Sequence, residues 1–308
     1  MDRKKLQSLI QGTVVTTPTP MDKDLKIDLA MTTDITRWWV SQGLGTNVAP
    51  LKVVAAGGEG PDLSDDEWPQ VLRTTVNAAG KNPVVMCALK TKNTFHTIDD
   101  AKRAADLGAI GLQIDLPFFH HPNQDDYLRY FTDISNKIDI GIMIYNTYWF
   151  GCEPISPETM LKLAANAEHV VAIKWGVPKG ADYDVMRQFS DKINVIDNTS
   201  QAVRCHKNGG RGYITSTATA YAKYDLDFWA LLENKKYAEA EAEVERVRVP
   251  LKEWRAKATL KSGGYRHLKA YMTAVGKHVG DPRPPTLPMS EDEIAELKVL
   301  MRQIGWIK

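Results

Sequence analysis

Cysteine and net charge are both scarce in this chain. Its 308 residues include 3 cysteines, and 39 Lys+Arg against 38 Asp+Glu leave a formal net charge of +1. Cys87, Cys152 and Cys205 lie far apart, with no C-x-x-C pair and no nearby pair of histidines, so they predict neither a disulfide framework nor a zinc site. We expect buried or incidental thiols. The balanced charge favours neither nucleic acid nor an anionic membrane, so a small molecule is the expected partner.

Long apolar runs are also absent. No stretch reaches the ~18 uninterrupted apolar residues expected of a membrane span. The first residues, MDRKKLQSLIQG, carry charge but are not followed by the apolar run of roughly 7 to 15 residues that a secretory signal needs. These absences predict a cytoplasmic protein.

Short apolar, β-branched runs are present and alternate with longer amphipathic stretches. This alternation is typical of parallel β/α units, and the 43% hydrophobic and 25% charged residues fit an ordinary globular protein. The strand candidates are Gly12 to Thr19, Lys52 to Ala56, Pro83 to Leu89, Ala109 to Pro117, Ile140 to Asn146, Val170 to Trp175, Asn194 to Asp197 and Gly212 to Thr217.

The stretches between these strands have helical patterns, and several begin with a Ser, Thr or Asp that can cap a helix. The clearest are residues 31–43, 64–80, 97–108, 124–137, 156–167 and 182–192. Strands that alternate with helices predict a (β/α)8 TIM barrel over residues 1–224, and the purely helical patterns of residues 225–308 predict a C-terminal helical domain. A doubly wound sheet is the alternative, but the segment TPTPMDKDLKID after the first strand lacks the G-x-G-x-x-G fingerprint of dinucleotide binding.

Polar residues that end apolar runs are the first candidates for chemistry, because barrel active sites form at the carboxyl ends of the strands. Lys174 ends the run VVAI, where loss of solvation would lower its pKa and free the amine to attack a carbonyl. The alternative is a lysine that caps its strand and extends outward to water. Tyr145 and Asn146 end the run IGIMI and offer a phenol that can pass a proton and an amide that can orient it.

Two glycine-containing segments are further candidates. In VVAAGGEG, Ala56, Gly57 and Gly58 allow backbone N–H groups to approach a carboxylate, although a turn that needs glycine only for its geometry would look the same. GGRGYITST ends the eighth strand, where its backbone can contact a ligand.

Six motifs occur in order along nearly the whole chain, namely GTVVTTPTP, AAGGEGPDLSDDEW, IMIYN, VVAIKWG, GGRGYITST and RPPTLPMSEDE. Together they resemble the family of dihydrodipicolinate synthase and N-acetylneuraminate lyase. The resemblance implies a barrel with C-terminal helices, usually a homotetramer, that uses a lysine to form a Schiff base with pyruvate or another 2-oxo acid. Lys174 matches that lysine, Tyr145 matches the proton-shuttling tyrosine, and Ile214 matches the position whose carbonyl lines the pocket.

The chain also departs from the family pattern. Both hydroxyl residues of the usual G-T-T-G-E segment are replaced by small apolar residues, which leaves only the backbone of Ala56, Gly57 and Gly58 as donors. Phe118 and Phe119 stand where the family often has a tyrosine, and Phe150 stands where dihydrodipicolinate synthases have a substrate-binding arginine. A buried site that lacks these groups loses charge-assisted hydrogen bonds worth about 1.5 to 3 kcal/mol each, which disfavours dihydrodipicolinate synthase activity itself.

Aromatic residues replace the missing polar groups. Those expected at or beyond strand ends are Phe118, Phe119, Tyr148, Trp149, Phe150 and Trp175. They favour a bulky apolar or aromatic substrate portion bound against Phe119 and Phe150, although packing between subunits or under loops would also explain them. His120 and His121 are adjacent, so their side chains diverge and do not chelate one metal ion.

The resulting prediction is a class I carbon–carbon lyase or aldolase whose partners are a 2-oxo acid and an aldehyde. It uses neither a metal nor a separate cofactor, because the covalent imine on Lys174 is the electron sink. The same imine equally serves a dehydratase, a hydratase-aldolase or a deaminase. A barrel that binds a 2-oxo acid without turnover is the remaining alternative.

Overall fold

Eight β-strands form a closed barrel in the order β1 to β8, and the pairings from β3 to β8 are parallel. The computed structural model describes residues 1–308. The strands are β1 Gly12–Thr16, β2 Leu51–Val53, β3 Val85–Leu89, β4 Gly111–Asp115, β5 Gly141–Tyr145, β6 Val170–Trp175, β7 Asn194–Asp197 and β8 Gly212–Thr215. The predicted (β/α)8 barrel is therefore confirmed, and every strand candidate contains an observed strand or overlaps one.

Helices alternate with the strands and then continue alone to the end of the chain. They are α1 Arg3–Leu9, α2 Leu29–Ser41, α3 Trp68–Ala78, α4 Thr94–Asp106, α5 Gln124–Ser135, α6 Pro157–Asn166, α7 Ala202–Lys207, α8 Ala222–Glu233, α9 Tyr237–Glu243, α10 Val249–Lys261, α11 His267–Ala274 and α12 Glu291–Gln303. A π turn, Val244–Arg248, joins α9 to α10. Between β6 and β7 the predicted helix is instead a short 3-10 segment, Tyr183–Gln188.

Side-chain caps begin many of these helices, and Ser156 caps α6 at the first residue of its predicted helix. The capping side chains are Asp28, Asn93, Asn123, Ser156 and Ser290. Asn123 and Ser290 each form a reciprocal capping box with the acidic residue three positions later. These bonds satisfy amides that have no partner inside the helix, which sets where each helix starts.

By its internal packing the chain divides into two compact units. The first comprises residues 1–14, 45–52 and 81–214, and the second comprises residues 15–44, 53–80 and 215–308. The first unit contains a fully buried cluster that joins α1 to five strands. Its members are Leu6, Ile10, Val14, Met86, Met143, Val171, Ala172 and Ile196. This cluster fills the barrel interior with apolar side chains and gives the polar residues described below a rigid support.

All three cysteines are buried free thiols, as predicted. Burial raises the pKa of Cys87, Cys152 and Cys205, so each stays protonated near neutral pH. No helix is long and apolar enough to cross a membrane.

Candidate active site

Three polar side chains lie side by side on three adjacent strands of the first unit. Asp115 ends β4, Tyr145 ends β5 and Lys174 lies one residue before the end of β6. The strand register pairs Asp115 with Tyr145, and Tyr145 with Lys174. Residues at matching positions of neighbouring strands project to the same face of a sheet, so the register gathers an acid, a phenol and an amine in one row.

The amine of Lys174 lies directly on the ring of Tyr145. Its Nζ is 3.4 Å from the ring centroid, and only 7% of the Lys174 residue is exposed. Burial lowers the pKa of Lys174 well below the usual range of lysine, while the carboxylate of Asp115 partly opposes that shift. A lysine in this position supplies an uncharged, nucleophilic amine much nearer to neutral pH than an exposed lysine does.

Asp115 and Lys52 complete this group, and the sequence analysis missed both. Lys52 in β2 is fully buried and donates a hydrogen bond of 2.8 Å from Nζ to Oε1 of Gln113. Burial raises the pKa of Asp115, and the nearby amines of Lys174 and Lys52 oppose that rise. Asp115 is a polar residue at the end of the strand GLQID, so the strand-end criterion that selected Lys174 and Tyr145 would also have selected it.

A continuous group of aromatic side chains leads from Tyr145 toward solvent. We call it the aromatic group, and it consists of Phe118, Phe119, Tyr148, Trp149 and Phe150. The ring centroids of Tyr145 and Trp149 are 5.1 Å apart, those of Trp149 and Phe150 are 6.2 Å apart, and those of Phe150 and Phe118 are 4.8 Å apart. Phe119, Trp149 and Phe150 are exposed in the single chain, so this group offers apolar surface beside the row of polar residues.

Trp175 does not belong to the aromatic group, and here the sequence-based expectation was wrong. Its ring is buried against Phe189 and Tyr183, and its Nε1 donates to the carbonyl oxygen of Tyr183. Successive residues of a strand point to opposite faces, so Trp175 faces away from the side that Lys174 occupies.

Asn146 has a structural contact rather than the expected one with Tyr145. Its Nδ2 donates to the carbonyl oxygen of Gly176 at 2.9 Å, and its Oδ1 accepts the amide of Ile155 at 3.0 Å. Tyr148 donates from its hydroxyl to the carbonyl oxygen of Val177 at 2.7 Å. These bonds tie the segment after β5 to the segment after β6 and so hold the loop that carries Trp149 and Phe150.

The turn Ala56–Gly58 lies in the second unit and follows the carboxyl end of β2. The amide of Gly58 donates within the turn to the carbonyl oxygen of Ala55 at 2.8 Å. A Cβ on Gly58 would lie 2.2 Å from the carbonyl oxygen of Thr17, so close backbone approach requires glycine there. Geometry alone therefore explains Gly58, and binding of a substrate carboxylate by Ala56 and Gly57 stays a prediction.

The other predicted residues are placed as follows. The side chain of Ile214 in β8 packs against the buried cluster of the first unit, which leaves its backbone as the part that a ligand would contact. His120 and His121 are exposed and both have a positive φ, in the turn after Phe119. No group of three or more His, Cys, Asp or Glu side chains is arranged to hold a metal ion.

Comparison with known proteins gives a consistent family. A family model described as the dihydrodipicolinate synthetase family matches residues 9–304. A 4-hydroxy-tetrahydrodipicolinate synthase from Thermotoga sp. (strain RQ2) is 27% identical over 300 residues, which cover 96% of this chain and 98% of the relative. One from Acidiphilium cryptum (strain JF-5) is 34% identical over 166 residues, or 54% of this chain and 55% of the relative.

Solved structures share the fold at lower identity. YagE, a prophage protein of the dihydrodipicolinic acid synthase family from E. coli K12 in complex with pyruvate, superposes with a TM-score of 0.85 at 18% identity and covers 97% of this chain and 100% of its own. Dihydrodipicolinate synthase from Thermotoga maritima superposes with a TM-score of 0.84 at 22% identity, with the same coverage.

Proposed function

Because this chain belongs to the dihydrodipicolinate synthetase family, we propose that it is a class I lyase or aldolase in which Lys174 forms an imine with pyruvate or another 2-oxo acid. The observation that carries the proposal is the placement of Lys174, a buried amine set on the ring of Tyr145 near the end of β6. A related protein of the same fold, YagE, has been crystallised in complex with pyruvate, which supports a 2-oxo acid as the partner.

The chemistry follows from the neutral amine. The lone pair of Lys174 Nζ attacks the ketone carbon of the 2-oxo acid, and the resulting carbinolamine loses water to give a protonated imine. That imine accepts the electron pair released when a bond at the adjacent carbon breaks, so no separate cofactor is required. The amine of Lys174 lies over the ring of Tyr145, so the hydroxyl of that ring is close to the reacting atoms. It donates and accepts the protons that these steps transfer.

Reductive trapping tests this assignment directly. Incubation with pyruvate and cyanoborohydride should add one reduced pyruvate per chain, and peptide mapping should place it on Lys174. Absence of any adduct would favour a barrel that binds 2-oxo acids without turnover. Product analysis then separates aldol cleavage or condensation from dehydration, hydration-aldol reaction and deamination, which share the same imine.

The aromatic group supports a bulky, apolar or aromatic aldehyde as the second partner. Phe150 offers apolar surface where the resembling synthases have an arginine, so no cation is available at that position for a second carboxylate. Burying about 100 Å² of apolar surface against these rings favours binding by roughly 2.5 kcal/mol. Leaving a carboxylate unpaired at the same place costs several kcal/mol.

We therefore expect a higher kcat/KM for an aromatic aldehyde than for aspartate semialdehyde or N-acetylmannosamine, each with pyruvate. Phe150→Arg should reduce this preference by adding a cation and removing apolar surface. Phe95→Arg is the matched control, because Phe95 is a similarly exposed phenylalanine on α4 outside the aromatic group. Steady-state kinetics in which aspartate semialdehyde is the better partner of the unmodified chain would contradict the proposal.

A homotetramer is the expected assembly. Phe119 is 66% exposed in the single chain, and its ring centroid lies 4.6 Å from that of Phe118. Subunit association would cover this apolar surface, which otherwise faces water. Light scattering at micromolar concentration should give the mass of four chains. Phe119→Lys should weaken this assembly, whereas a monomeric unmodified chain would show that Phe119 is not buried between subunits.

A further inference from the structure

The barrel interior holds a second lysine that the proposed chemistry does not use. Lys52 is fully buried on β2 and is bonded to Gln113, which lies two residues before Asp115 on the same face of β4. Gln113 is paired in register with Met143, and Asp115 is paired with Tyr145, so the two positions form successive layers of one interior face. Lys52 therefore lies one layer below the row that contains Asp115, Tyr145 and Lys174.

Other titratable side chains of the strands lie elsewhere. Cys87 on β3 is a buried thiol that stays protonated. Asp197 on β7 is the register partner of Trp175 rather than of Lys174, and Tyr213 on β8 is in turn the register partner of Asp197. Asp197 is bonded to Tyr183, Thr199 and Gln201. The remaining groups, carried by β2, β4, β5 and β6, are those described above, and β1 has none.

Charge balance in this interior favours a state in which the two lysines share one proton. One carboxylate, Asp115, lies in the field of two amines, Lys52 and Lys174. Burial penalises an unbalanced charge, so the favoured state near neutral pH has an ionised Asp115, one ammonium group and one neutral amine. A proton held by Lys52 leaves Lys174 neutral, and a proton held by Lys174 leaves Lys52 neutral.

We propose that Lys52 is a positioning residue that stores this proton, acting across Asp115 so that Lys174 is uncharged when it attacks, and that Lys52 releases the proton to the departing carbonyl oxygen as the imine forms. The inference rests on the proposed function of Lys174. It also offers a replacement for the hydroxyl relay that the chain lacks at Ala56 and Gly57.

The proton and charge balance closes without another reactant. Before reaction, Lys52 is an ammonium, Lys174 is an amine and the substrate is a ketone. The amine forms the carbon–nitrogen bond, and the carbonyl oxygen leaves as water after it takes one proton from the attacking nitrogen and one from Lys52. Afterwards Lys52 is a neutral amine and Lys174 is part of a protonated imine. Asp115 stays ionised throughout, so the interior is electrically neutral at both ends of the step.

The test is the pH dependence of cyanoborohydride trapping with pyruvate. Lys52→Met removes a positive charge, so the ammonium form of Lys174 is favoured and the midpoint of trapping should rise by about one pH unit or more. Asp115→Asn removes the negative charge that favours ammonium, so the midpoint should fall by about the same amount. Met143→Leu, which changes the shape but not the charge of the same interior, should leave the midpoint in place.

A third variant separates proton storage from simple charge. Arginine stays protonated at all relevant pH values. Lys52→Arg therefore keeps the positive charge, and the pH midpoint of trapping should stay near that of the unmodified chain. Because arginine does not release its proton, trapping should be slower by about 10²-fold. An unchanged midpoint in Lys52→Met, shifts of the same sign in Lys52→Met and Asp115→Asn, or full-rate trapping in Lys52→Arg would each overturn the proposal.

The unmodified protein provides an independent measurement if a variant does not fold. An NMR titration of isotope-labelled lysine side chains, without substrate, should show two amines that titrate below the usual lysine value of about 10.4. A single such amine would overturn the proton-storage role. This measurement needs no pyruvate, so it remains informative even if pyruvate trapping fails and the proposed function is wrong.

Discussion

Lys174→Ala is expected to abolish both turnover and pyruvate trapping while the fold is retained. The only other amine described in the barrel interior, Lys52, is fully buried and bonded to Gln113, so it is not placed to take over the attack. The fold should survive because Asp115 keeps Lys52 as its counter-charge when Lys174 is removed. Circular dichroism and thermal unfolding check the fold, and mass spectrometry after cyanoborohydride checks the adduct.

Two companion variants make this result specific. Lys174→Met keeps most of the side-chain volume, so it separates loss of the amine from loss of packing beside Tyr145. Lys192→Ala removes an exposed lysine that pairs only with its neighbour Asp191, and it should retain full trapping. An adduct that persists in Lys174→Ala and maps to another lysine would remove Lys174 from the mechanism.

The barrel could be predicted because its strands leave a clear pattern in the sequence. Parallel strands are covered on both faces, so they appear as short continuous apolar runs, and β6 and β7 have the predicted bounds. The predicted first strand ran to Thr19, whereas β1 ends at Thr16, before the proline-containing segment that follows it. The 3-10 segment Tyr183–Gln188 was predicted as a helix because periodicity alone does not separate the two.

The candidate site was only half predictable, for a reason that lies in strand register. Tyr145 and Lys174 each end an apolar run and could be selected one strand at a time. Asp115 also ends its strand and could have been selected in the same way, but its place beside Tyr145 is known only from the register, and the place of Lys52 only from its bond to Gln113. Those relations join strands that are distant in sequence, so no local pattern carries them.

The alternation of side-chain direction along a strand would have corrected the prediction for Trp175. Once Lys174 is assigned to the interior, its neighbour Trp175 must face the opposite side, where it packs against Phe189. The loop aromatics obey no such rule, because the segment from Tyr148 to Phe150 is a short 3-10 turn. Their contact with one another follows from the positions of the loops after β4 and β5.

Tyr145→Phe should slow turnover by about 10²- to 10⁴-fold, the range expected when a positioned acid and base is removed. The substitution deletes only the hydroxyl. The phenylalanine ring still lies under Lys174 Nζ and still packs against Trp149. Substrate binding and the fold should therefore change little, and the loss should appear in kcat rather than in KM. Tyr130→Phe is the matched control, since that buried tyrosine directs its hydroxyl to Thr97 and should retain activity. Stopped-flow and steady-state kinetics on both variants measure the effect, and an unchanged kcat in Tyr145→Phe would show that another group transfers the proton.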